Sequence, residues 1–119
     1  FYIASSSADS SLVEPSNYTK IITIETCRLD SFIKRTYIEH IDLLKMDAEG
    51  FEPEVIQGLG KSILICRSFS IDVSPERAGI STLSKTLDLF DKDRFITEVV
   101  HGQGERLFLL ICSLEESNQ

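Results

Sequence analysis

Lys45, Asp47 and Glu49 stand two residues apart in the run Ile41-Asp42-Leu43-Leu44-Lys45-Met46-Asp47-Ala48-Glu49-Gly50. If the chain stays extended through Glu49, that spacing puts a cation and two carboxylates on one face of a strand end. A carboxylate so placed can take a proton from a substrate or hydrogen-bond it, and a cation within about 4–6 Å keeps it ionised. Asp47 is the first candidate for a base, Glu49 the second, and Lys45 the group that orients. A plainer reading stands beside this one: a carboxylate ahead of a helix is often a cap, and Lys45 with Asp47 a simple ion pair. Asp47, Glu49 and Asp72 could also offer oxygens to magnesium or calcium if neighbouring strand tips converge. Nothing in their spacing demands a metal, and none is expected.

These side chains need elements to hold them. The apolar run 41–44 is short and bounded, as a buried strand is. A helix start follows at once. Pro53 suits the first helical position, Glu52 and Glu54 favour the positive helix N-terminus, and Phe51 can staple onto Ile56. The same N-terminus favours the charged form of Glu49. Strand, charged tip and helix make half of a βαβ unit, and its tip lies where open α/β sheets bind ligands.

The segment Leu29-Asp30-Ser31-Phe32, then 41–52, then Val55-Ile56-Gln57-Gly58, resembles the C-terminal half of FkbM-type methyltransferases, most densely from Lys45 to Gly50. The resemblance implies a Rossmann-like class I fold, S-adenosylmethionine as cofactor, and a small-molecule acceptor, a sugar or natural product methylated on a hydroxyl. Displacement at a sulfonium methyl needs a positioned nucleophile and, for a hydroxyl, removal of its proton. Lys45, Asp47 and Glu49 take those catalytic roles. The resemblance also puts three residues on the substrate side. Ser10 and Ser11 belong to a Ser-Ser-Leu that often precedes this motif, and Asp72 stands where the family often has glutamate. Read without the resemblance, Ser10 and Ser11 are a solvated loop. The family's glycine-rich strand-to-helix turn, and the acidic residue ending its next strand, have no counterpart here. The expectation is an O-methyltransferase in fragment or truncated form, which does not complete a cofactor site alone. The alternative is a non-catalytic α/β module that has lost cofactor binding and serves as a partner or assembly surface.

A chain of 119 residues fits one domain. Its 12 basic and 19 acidic residues give a net charge of -7, which argues against a nucleic-acid or anionic-membrane surface. Cys27, Cys66 and Cys112 are far apart and odd in number, so they form neither a metal knuckle nor a disulfide framework. They read as buried small hydrophobes in a reducing cytoplasm. No apolar run approaches the roughly 20 residues that span a bilayer.

Along the chain, 1–19 reads as a strand at 1–4 with a serine-rich loop, 20–114 as the partial Rossmann-like domain, and 115–119 as a polar tail. A strand is expected at 20–25, then a helix from 26 or 28 with Leu29, Phe32, Ile33 and Tyr37 on its buried stripe. The helix after the central motif ends near Gly58 or Gly60. Strand follows at 63–66 and 69–73, with a polar break at Arg67 and Ser68, then a helix from 81 carrying Leu83, Leu87 and Phe90. Segments 94–100 and 106–112, joined by a glycine-containing connection, close an antiparallel hairpin. The fold class is α/β, with central parallel strands flanked by helices and a C-terminal antiparallel hairpin. Without the first strands of such a sheet an edge is unpaired, which predicts a homodimer or a complementing chain.

Overall fold

The structure, a computed structural model, describes residues 1–114; the expected tail at 115–119 lies outside them. Strands β1 (Tyr2–Ala4) and β2 (Tyr18–Ile21) form a small antiparallel sheet of their own. Helix α1 (Leu29–Arg35) leads to β3 (Ile41–Met46), α2 (Glu52–Leu59), β4 (Cys66–Asp72), α3 (Leu83–Leu87), β5 (Phe95–His101) and β6 (Leu107–Ser113). The main sheet has the order β3-β4-β6-β5. The β3–β4 pair is parallel and joined through α2, whereas β6 runs antiparallel to both β4 and β5. The α/β class and the closing hairpin are therefore present. The strand expected at the centre is an edge strand among the described residues, and β3–β4 is their one parallel pair.

Register explains which side chains build the core. Leu44 lies beside Phe69 and Met46 beside Ile71, while Phe69 faces Ile111 and Ile71 faces Leu109. With a side-chain period of two, these residues share one face of the sheet. Met46, Phe69, Ile71, Leu109 and Ile111 are buried there, with Ile56 and Leu59 delivered by α2. Phe90 and Phe95 meet Phe69 edge-on at centroid distances of 5.0 and 6.1 Å. Each fully buried side chain of this kind contributes roughly 1.5–3 kcal/mol. The opposite face carries Leu43, Ile96 and Leu110, all exposed.

Several local expectations need correction. The serine-rich segment is not a free loop: Ser7–Asp9 is a 3-10 turn, and Ser11 bridges Tyr2 through paired backbone hydrogen bonds of 2.8 and 3.1 Å. The second strand lies earlier than 20–25: it ends at Ile21, Ile22 still exchanges hydrogen bonds with Phe1, and 23–28 forms no strand. Tyr37 is off the helical stripe, 89% exposed and at φ +55° beyond the end of α1, so the inward positions there are Leu29 and Ile33. Segment 63–65 belongs to a 3-10 turn (Gly60–Ile65), entered where Gly60 takes φ +50° after α2. One strand then runs unbroken through Arg67 and Ser68, since Ser68 sits on the open face, opposite Cys112. Helix α3 stops at Leu87, yet Phe90 is buried as its stripe requires. Of the cysteines only Cys66 is buried; Cys27 and Cys112 are exposed. Among the described residues no helix is long and apolar enough to cross a membrane.

Candidate functional site

The extended chain does not persist to Glu49. Strand β3 ends at Met46, and Ala48 to Phe51 form a tight turn closed by the Phe51 N–H donating to the Ala48 carbonyl at 3.1 Å. Glu49 and Gly50 occupy its centre at φ +50° and +92°, the sign pattern of a type I′ turn. A Cβ on Gly50 would sit 3.2 Å from Arg77 Cβ and 3.3 Å from its backbone nitrogen, so a side chain there would crowd this wall and force Arg77 to give way. Glu49 has no such licence. A non-glycine residue in the left-handed region costs on the order of 1–3 kcal/mol and persists only where its surroundings impose it.

Glu52 imposes it. Its carboxylate is fully buried, and Oε1 accepts hydrogen bonds from the N–H groups of Ala48 at 3.1 Å and Gly50 at 3.0 Å. Oε2 accepts from Thr82 Oγ1 at 2.9 Å. A buried carboxylate is tolerable when donors surround it, and here three do. In sequence, Glu52 stands only as a charge at the helix start. The sequence carried no capping signal for this role, since a capping box puts its glutamate at the third helical position behind a serine or threonine, whereas Glu52 is the first residue of α2 and Phe51 precedes it.

The facing wall comes from the end of β4. Asp72 is 3% exposed. Its Oδ1 accepts from the Ser74 N–H at 3.0 Å and from the Ser74 hydroxyl, and its Oδ2 from Arg106 Nη2 at 3.0 Å. Burial alone would push this carboxyl up, but the Ser74 hydrogen bonds and the Arg106 guanidinium outweigh it and hold it below the usual range. Ser74 Oγ in turn accepts from the Leu107 N–H at 3.1 Å. These bonds pin the junction of β4 and β6 and launch the loop at 75–79, whose Arg77 pairs with Glu54 at 2.8 Å.

Between that loop, Glu49 and the N-terminal segment lies a cleft of about 1190 Å³. Glu49 and Glu76 line it, and their carboxylates converge with that of Asp47 beside it, one oxygen of each inside a mutual 4.8 Å. Three such oxygens are ligands of the kind a hard cation takes, but Asp72, which the sequence reading put in that set, is not among them. Burial, then the neighbouring carboxylates of Asp47, Asp9 and Asp72, push Glu49 up to about 7. Burial, then Glu49, Asp72, Glu52 and Asp47, push Glu76 up to about 8. Like charges and desolvation therefore override the helix N-terminus that was expected to keep Glu49 ionised. A carboxyl titrating near neutrality can both hold and accept a proton at physiological pH.

The remaining sequence candidates fall as follows. Lys45 is exposed on β3 beside Ser70, and among the described residues it makes no ion pair with Asp47. Ser11 is buried, lines the cleft and donates from Oγ to the Glu49 carbonyl at 2.9 Å, which fastens the N-terminal sheet to the turn. Ser10 Oγ accepts from the Ala4 N–H at 3.1 Å. Glu76 escaped the sequence reading, because nothing in Ser74-Pro75-Glu76-Arg77 distinguishes it from a surface turn; only its position just beyond a strand adjacent to β3 hinted at it.

The model of the family described as methyltransferase FkbM domain matches residues 1–104. No curated protein and no solved structure matches the chain.

Proposed function

The chain belongs to the methyltransferase FkbM family, and from that membership we propose that it serves methyl transfer from S-adenosylmethionine to a hydroxyl of a sugar or natural product held in the cleft. The observation that carries this reading is the convergence of Asp47, Glu49 and Glu76 at the tip of β3, beside a cleft large enough for such an acceptor. The Rossmann-like assignment is part of the proposal. A parallel β3–β4 pair followed by an antiparallel hairpin agrees with the C-terminal part of such a sheet.

Glu49 is the better base. Its carboxyl, raised to about 7, is matched to the transfer of a proton at neutral pH. Asp47, exposed beside it, hydrogen-bonds and orients the acceptor, which reverses the order drawn from spacing alone. Glu76, on the same wall, is a second carboxyl that faces the acceptor. Lys45 keeps a long-range electrostatic role at the strand end. When bound, the cofactor supplies an electrophilic methyl group. Among the described residues no glycine-rich turn joins a strand to a helix to cradle its nucleotide, so the residues present do not fit a whole cofactor site. The steps assigned to this chain are those at the acceptor.

Labelled methyl transfer tests the reading. The chain, combined with a chain that supplies the glycine-rich cofactor turn and incubated with methyl-labelled S-adenosylmethionine and a panel of polyhydroxylated acceptors, is expected to form labelled ether. Glu49→Gln is expected to lower the rate by roughly 100-fold or more. Labelled ether formed equally well by Glu49→Gln, or absent with every acceptor, would remove the proposal.

A further inference from the structure

The lining of the cleft is uneven in charge. Asp9, Glu14, Glu49 and Glu76 face it, with Arg77 the one basic residue among the lining groups. Arg77 is already committed to Glu54 at 2.8 Å. Oε2 of Glu76 is buried and accepts no hydrogen bond from any described residue. Buried polar atoms almost always have a partner, so Glu76 has hydrogen-bonding capacity that the described residues leave unused. The serines and Asn17 that complete the lining suit hydroxyl groups without adding a cation.

We propose that the acceptor carries an ammonium group near its hydroxyl, seated between Glu49 and Glu76, and that acceptors bearing phosphate or carboxylate are rejected. This rests on reading the cleft as the acceptor site, and it adds the charge class that family membership does not supply. A cleft of one sign concentrates the opposite charge and repels its own, the more so where walls of low dielectric exclude water. Burial and mutual repulsion keep Glu49 and Glu76 partly protonated near neutrality. An entering ammonium reverses that balance, stabilises both carboxylates and displaces their protons. An entering anion gains no cation in exchange and meets the charge of Asp47 and Asp9. Discrimination by repulsion needs no further device.

Three probes of one shape test it: 2-aminocyclohexanol, cyclohexane-1,2-diol and 2-hydroxycyclohexanecarboxylate, titrated into the purified chain at neutral pH with calorimetric detection. Affinity is expected in the order amine, diol, acid, with roughly tenfold or more between amine and acid, narrowing at high salt. Binding of the amine should release protons, read as a heat that changes with the ionisation enthalpy of the buffer. Glu76→Gln, and independently Glu49→Gln, should narrow the amine-to-acid ratio. An acid that binds as tightly as the amine, no binding by any of the three, or a ratio unmoved in both variants overturns the inference. Methyl transfer is scored separately. Transfer to neutral and anionic acceptors as readily as to amines keeps the methyltransferase reading and sinks the charge selection. Amine-selective binding without transfer does the reverse.

Discussion

Glu52 Oε2 accepts a hydrogen bond from Thr82 Oγ1 at 2.9 Å, across 30 residues of chain. The other oxygen of the same carboxylate holds the N–H groups of Ala48 and Gly50. One buried side chain thus ties the turn after β3, which presents Glu49, to the residue before α3, where the loop carrying Glu76 ends. The two sides of the cleft wall share this fastening, beside the Arg77–Glu54 pair.

Removing that fastening should be costly. Glu52→Ala leaves three donors without their acceptor, at about 1–3 kcal/mol each when buried, so a loss of at least about 3 kcal/mol is expected in denaturant unfolding. Glu52→Gln can turn its carbonyl to Ala48 and Gly50 and its amide to Thr82, whose hydroxyl can rotate to accept. It should cost clearly less, about 1–2 kcal/mol. Equal losses for the two variants would show that the hydrogen bonds are not what holds the turn.

Gly50→Ala probes the close approach of the walls. At φ +92°, with Arg77 Cβ 3.2 Å from the new methyl, the substitution is strained in backbone and in space. A destabilisation of about 1–3 kcal/mol or more is expected. Arg77 should shift with it, weakening its pair with Glu54. Unchanged stability, with unchanged chemical shifts at Arg77, would contradict the packing described.

The raised carboxyls make a stability claim with a definite sign. Glu49 rises from 4.5 to about 7 and Glu76 from 4.5 to about 8. The folded chain therefore holds protons that the unfolded chain has lost. The stability these groups contribute is fully present below pH 4.5 and disappears as pH rises through about 7 and then about 8. Glu76→Gln, which cannot ionise, should match the parent in thermal midpoint at the acid end and exceed it above about pH 8. Midpoint curves that run parallel across the whole range would count against the shift.

Asp72 works in the opposite direction. Its carboxyl is held below its ordinary 3.8, so its contribution is present above that value and is lost as pH falls through the lower folded one. Arg106→Ala removes one of the groups that hold it down. The acid-unfolding midpoint of that variant should move upward, as followed by circular dichroism, while stability at neutral pH falls. An unmoved acid transition would place the burden on Ser74 alone.

Much of the frame was legible in the sequence. The apolar run at 41–44, the Pro53 helix start and the strand-like segments expected at 94–100 and 106–112 are local signals that tertiary packing merely reinforces. Lys45 to Gly50 was legible as a charged strand tip because charge ended an apolar strand ahead of a helix. What escaped depends on contacts far apart in sequence. Glu49 leaves the extended path because Glu52 clamps the turn and Arg77 crowds Gly50, neither of which a strand pattern encodes. Glu76 joins Asp47 because the parallel register of β3 and β4 brings their tips together. Asp72 leaves the cation-binding set for the same reason: Ser74 and Arg106, the latter 34 residues away, occupy its oxygens. The serine-rich stretch looked unstructured because its order comes from backbone pairing with Tyr2 and from the Ser11 bond to Glu49.

Everything proposed for the cleft stands on Glu49 and Glu76 forming one electrostatic unit. The direct measurement is a carbon-detected NMR titration of side-chain carboxyls, assigned by Glu49→Gln and Glu76→Gln. Midpoints near 7 for Glu49 and near 8 for Glu76 are expected, each falling when the other residue is replaced. Two independent titrations at the ordinary 4.5 would contradict the convergence of these carboxyls and, with it, the site.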